Sequence, residues 1–139
     1  MRKINKKVSL KQRIKKILKR YYQLFKLYYL DIFAYLRLSA LNGFFKVFFS
    51  DKNLIMPLKY SVYKFTDKKN INLKGDLIIG TKRVKGSKLE TRFIVEGTGK
   101  LDIKGKVSVG YGADIEVFDG GHLEMGYCWS NINNEIICA

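Results

Sequence analysis

The sequence predicts a mainly β chain, a parallel β-solenoid preceded by a basic, amphipathic helical cap. Three observations predict it: charge and glycine segregate to opposite halves, apolar residues before residue 36 recur at helical steps, and the C-terminal half can be laid over itself. Residues 1–70 hold 18 Lys and Arg against Asp31, Asp51 and Asp67, so the whole net charge of +15 belongs to them, while residues 71–139 balance 9 basic against 9 acidic side chains. Of the 12 glycines, 11 lie between Gly75 and Gly126, and 14 of the 19 aromatic residues lie between Tyr21 and Phe65. A chain of 139 residues can bury one core. These shifts divide it near residue 70 into a basic, aromatic helical cap and lead-in (1–70) and the start of a solenoid (71–139).

The N-terminal element comes first. Residues 1–20 contain ten Lys and Arg and no acid. From Leu10, the residues Ile14, Ile17, Tyr21, Leu24, Tyr28, Ile32 and Tyr35 follow at steps of three and four, the spacing of one helix face. Leu18, Tyr22, Phe25, Tyr29, Phe33 and Leu36 widen that stripe, so the helix past Tyr21 must be covered by something. A membrane span needs about 18 uninterrupted apolar residues. Lys26, Asp31, Arg37 and Lys46 interrupt this region, and its longest uncharged run is Leu38 to Phe45. No small-residue cleavage site follows a short apolar core, so a secretory signal is not expected. With two cysteines and no framework of pairs, the expected compartment is the cytoplasm.

Three partners suit such a helix. It can pack on the rest of the protein, lie on the anionic inner face of a membrane through residues 1–36, or bind nucleic acid. Packing ranks first, membrane contact second and nucleic acid last, because no recognisable base-reading motif accompanies the charge.

The C-terminal elements follow from the overlay. F93-I-V95-E-G97-T-G99-K-L101-D-I103 matches I115-E-V117-F-D119-G-G121-H-L123-E-M125 at an offset of 22, apolar on apolar and Gly99 on Gly121. A six-residue step runs from L101-x-I103 to V107-x-V109-G110, and related punctuation recurs at L77-I-I79-G80. Short strands with glycine corners at a fixed period describe coils stacked in parallel. An antiparallel meander is the alternative, but Asp119-Gly120 is the only Asn-Gly or Asp-Gly dipeptide in residues 71–139. The expected solenoid starts near Ile71, linked to the cap through Pro57, and an uncapped last strand at "EIICA" should aggregate.

The run KLDIKGKVSVGYGADIEVFDGGHLEMGYCWSNINNEIICA, residues 100–139, with the lead-in NINLKGDLIIG at 70–80, resembles the opening coils of hexapeptide-repeat acyltransferases with a left-handed parallel β-helix, of the kind that modify capsular and other surface polysaccharides. The resemblance covers about half the chain. It implies transfer of an acyl group, usually acetyl from acetyl-CoA, to a sugar hydroxyl, in a homotrimer with sites between neighbouring solenoids. The implied general base is a histidine on a later coil, beyond Ala139, so the chain is expected to be an N-terminal portion without a catalytic residue. The rivals are a non-catalytic solenoid that serves binding or assembly and, behind it, a basic nucleic-acid-binding protein.

Candidate site residues are few. The single histidine, His122, overlays Lys100 in the repeat and reads as a solvated turn residue, not a base. Trp129, Asn131 and Asn133 sit where the family's cleft would begin and are candidates for a sugar or a neighbouring subunit, with corner duty as the structural alternative. Cys128 and Cys138 have no second pair or nearby histidine, so no metal is expected. GTGK at 97–100 lacks the first glycine and the Ser/Thr of a phosphate loop and reads as a corner. Glu116, Asp119 and Glu124 read as a solvated face.

Overall fold

The computed structural model describes residues 10–26, 30–43 and 53–139. Expectations that fall on residues 1–9, 27–29 and 44–52, among them Tyr28 and Tyr29 of the helical stripe and Lys46, lie outside the described residues. The described chain is mainly β, with parallel sheets.

Helix α1 spans Leu10–Lys26. The stripe does not continue as one helix to residue 36. Leu30 instead makes an isolated antiparallel bridge with Leu58, and Asp31 opens a second helix, α2 (Ile32–Arg37), by accepting the Ala34 N–H at 2.9 Å. An Asp at this position satisfies one of the unpaired amides of a helix start, which apolar spacing alone does not report. A short α3 (Ser39–Asn42) follows.

Among the described residues, eleven strands follow: β1 (Ile55–Pro57), β2 (Ser61–Phe65), β3 (Ile71–Leu73), β4 (Leu77–Thr81), β5 (Thr91–Val95), β6 (Lys100–Ile103), β7 (Val107–Gly110), β8 (Asp114–Val117), β9 (His122–Met125), β10 (Cys128–Trp129) and β11 (Glu135–Cys138). They form three sheets, ordered β1-β4-β7-β10, β2-β5-β8-β11 and β3-β6-β9, so each strand pairs with the one three elements along. All pairings between named strands are parallel, which hairpins cannot give. The arrangement is compatible with a β-solenoid.

The sequence overlay is the pairing register. Phe93 sits opposite Ile115, Val95 opposite Val117, Leu101 opposite Leu123 and Ile103 opposite Met125. The inward member of each dipeptide step is buried, and Ile79, Phe93, Ile103, Val107, Val109 and Ile115 form one continuous core. Pairing starts upstream of Ile71, because β1 and β2 already match β4 and β5. Pro57 lies inside β1, on the outer edge of its sheet, where its missing N–H costs no ladder bond.

That outer edge is covered. The Ile55 N–H donates to Asn42 Oδ1 at 2.8 Å and Asn42 Nδ2 donates to the Ile55 carbonyl at 3.1 Å, so a buried amide side chain takes the place of a neighbouring strand. Tyr63 donates from its hydroxyl to the Ala34 carbonyl at 3.0 Å. Leu30 and Tyr35 close over Leu54, Met56 and Leu58 in a second apolar cluster. Among the described residues, no helix is long and apolar enough to cross a membrane.

Candidate functional site

The three residues singled out in the sequence share the segment that leads from β10 into β11. Trp129 is the last residue of β10 and is exposed. Lys82, in the loop between β4 and β5, places its Nζ 3.2 Å from the Trp129 ring centroid. A sugar stacking on Trp129 must therefore use the other ring face or displace this cation.

Asn131 and Asn133 serve the corner. A Cβ at Gly110 would strike the Asn131 carbonyl, so the glycine is what lets the two chain levels approach. Ser130 Oγ secures the same approach by accepting the Gly110 N–H at 2.9 Å. Asn133 has φ 56°, in the left-handed region where Asn is among the more tolerant residues, and its N–H donates to the Tyr111 carbonyl at 3.3 Å. The turn gathers the three candidates along one edge. Trp129 meets the loop at residues 82–90, whereas both asparagines engage the backbone of the preceding chain level.

A second cluster lies on the outward face of the β3-β6-β9 sheet, and the sequence reading did not find it. His122 opens β9 and its Nε2 is 2.7 Å from Asp102 Oδ2 on β6; Asn72 on β3 donates from Nδ2 to Asp102 Oδ1 at 2.8 Å. Glu124, opposite Asp102 in register, pairs with Lys104 at 3.2 Å. Hydrogen bonds from His122 and then Asn72 hold the Asp102 carboxyl below its ordinary pKa, since both favour the charged form. A carboxylate beside an imidazole can orient the ring. Here the His122 side chain is 51% exposed on an alternating strand face, where water also reaches it.

Asp102, His122 and Glu124 also offer three ligand atoms within 4.8 Å of one another, the group among the described residues that could hold a metal ion. Such an ion would have to open the 2.7 Å Asp102–His122 contact and displace the Lys104 ammonium from Glu124, so the set fits a charge ladder better than a metal centre. The signal in the sequence was the 22-residue overlay. It puts Asp102 opposite Glu124 and His122 two positions before it on the same face.

Two of the other acids on the strands, Asp114 and Glu116, and Asp119 at a corner are engaged by neighbouring segments. Arg92 bridges Asp114 at 3.0 Å and Glu116 at 2.7 Å. Asp119 Oδ1 accepts the Thr98 N–H at 2.7 Å, fastening the corner that GTGK forms. Cys128 and Cys138 are free thiols packed against the core, and burial pushes the Cys128 thiol up from its ordinary pKa. Compared with family models, curated proteins and solved structures, the chain matches none.

Proposed function

We propose that the three parallel sheets are the faces of a left-handed β-solenoid capped by α2 and α3, and that the chain is the N-terminal portion of an O-acyltransferase for a surface polysaccharide. The observation that carries this reading is the register of residues 100–139. The segment that resembles the acyltransferase coils supplies β6 to β11, each strand in parallel with the one three elements before it. The family resemblance supplies the chemistry. Acetyl-CoA is the donor, a sugar hydroxyl the acceptor and a homotrimer the working form.

In that reaction a histidine takes the acceptor proton, the sugar oxygen bonds the acetyl carbon, and the carbon–sulfur bond breaks to release the CoA thiolate, which receives the proton. A base is needed because a hydroxyl is a weak nucleophile near neutral pH. The resemblance assigns that histidine to a later coil, and His122 remains a charge-ladder residue. Trp129 lies at the side of the acceptor cleft, with Asn131 and Asn133 shaping its corner. The protein works in the cytoplasm.

The test incubates the product of the whole reading frame that contains these residues with acetyl-labelled acetyl-CoA and capsular polysaccharide. Alkali-labile label in the polysaccharide supports the reading, and label no higher than in a protein-free blank contradicts it. His122→Gln should leave transfer intact; a loss of more than about tenfold would make His122 the base.

A non-catalytic assembly module is the second reading. Exposed Trp129, Ile132 and Ile137 favour it, because they leave apolar side chains open along the segment that forms the last strands of two sheets. Association without any transfer would select it.

A further inference from the structure

We infer that helix α1 docks on an anionic lipid surface. This rests on the helix alone and not on the acyltransferase reading. Leu10, Ile14, Leu18, Tyr22 and Phe25 are 75%, 48%, 64%, 58% and 60% exposed. At about 100° per residue, their steps of four, four, four and three keep them on one side of the helix. Five large apolar side chains in a row, open to water, are not what a helix packed on its own protein presents.

Among the described residues, Tyr21, past the middle of α1, joins the helix to the rest of the chain. Tyr21 meets Tyr35 edge-on at 6.3 Å, with the two hydroxyls 3.3 Å apart, and packs against the Leu54–Leu58 cluster. Leu10, Ile14 and Leu18 of the exposed row lie in the turns before Tyr21, and Tyr22 and Phe25 lie after it. Lys11, Lys15, Lys16, Lys19 and Lys26 are exposed along the same helix, which has no acidic residue, and Arg2, Lys3, Lys6 and Lys7 precede it in sequence.

Charge selects the partner. A bilayer with anionic headgroups receives the apolar row at the acyl boundary and the lysines at the phosphates, with their stems lying along the surface. A nucleic acid would satisfy the cations and leave the apolar row in water. A second copy of α1 would cover the row by bringing two sets of like charges together. The lipid surface alone satisfies both faces of the helix.

Sedimentation of the full chain with vesicles tests this. Phosphatidylglycerol/phosphatidylcholine vesicles should take the protein down at low salt, whereas pure phosphatidylcholine should not. High salt should release it. Ile14→Glu with Leu18→Glu should lower the bound fraction about tenfold or more while the thermal transition of the sheets stays in place. Lys15→Gln, Lys16→Gln and Lys19→Gln together keep the apolar row and should weaken binding to the anionic vesicles only. Equal partition onto both vesicles, binding unaffected by either set of substitutions, a dimer in solution that masks the helix, or displacement from vesicles by RNA at equal phosphate would each overturn the inference.

Discussion

Asn42 carries an unusual share of the fold for a polar residue. Buried beside the edge strand, it makes two hydrogen bonds to the Ile55 backbone that would otherwise need another strand. Asn42→Leu leaves a buried donor and acceptor unpaired and should cost about 1–3 kcal/mol each way of counting, seen as a lower thermal midpoint. Cys128 behaves by the opposite logic. Burial disfavours its thiolate, so alkylation should lag at neutral pH and rise only above the range of a free thiol; a rate like that of a free peptide thiol across the profile would contradict this.

Asp102 titrates in a predictable direction. Its folded pKa lies below its unfolded value, so the stability it contributes is present above the unfolded pKa, near 4, and is lost as pH falls through the folded one. Asp102→Asn should therefore lower the thermal midpoint slightly at neutral pH and not at all in strong acid. Sequence alone read His122 as solvated because the overlay sets it opposite Lys100. Its contact with Asp102 is diagonal, two positions along, and depends on side-chain reach as well as register.

Among the elements, the strands were legible and the helix boundaries were not. Alternation in F93-I-V95 and L101-D-I103 reports which side chains enter the core, and the core obeys it. Helical steps of three and four run unbroken past Asp31, although the chain breaks there because the Asp carboxylate caps α2. Asp31→Ala should fray α2 at a cost of about 1 kcal/mol, measurable as faster amide exchange at Ala34 and Tyr35. Gly110→Ala should do more, since its Cβ meets the Asn131 carbonyl; β10 and β11 should lose amide protection while β1 to β6 keep theirs.

For the whole molecule, parallel pairing of each strand with the one three strands along organises the chain after residue 53. Levels repeat at a 22-residue step where Arg92 meets Asp114, and at a 30-residue step where Asn72 meets Asp102. The difference is the loop at residues 82–90 between β4 and β5, whose Lys82 reaches Trp129. An overlay at 22 residues does not align the longer step, so β2, which meets β5 at 30 residues, escaped the sequence reading. The site was less legible than the fold. Trp129 and the two asparagines were singled out by a resemblance and share one segment of the chain, while the charge ladder needed three strands placed side by side.

The most direct measurement is the nucleotide sequence that follows the codon for Ala139. The acyltransferase account predicts an open frame that continues into further coils of the same spacing and reaches one bearing a histidine. A stop codon directly after Ala139 would leave the proposed chemistry without its base and contradict the account.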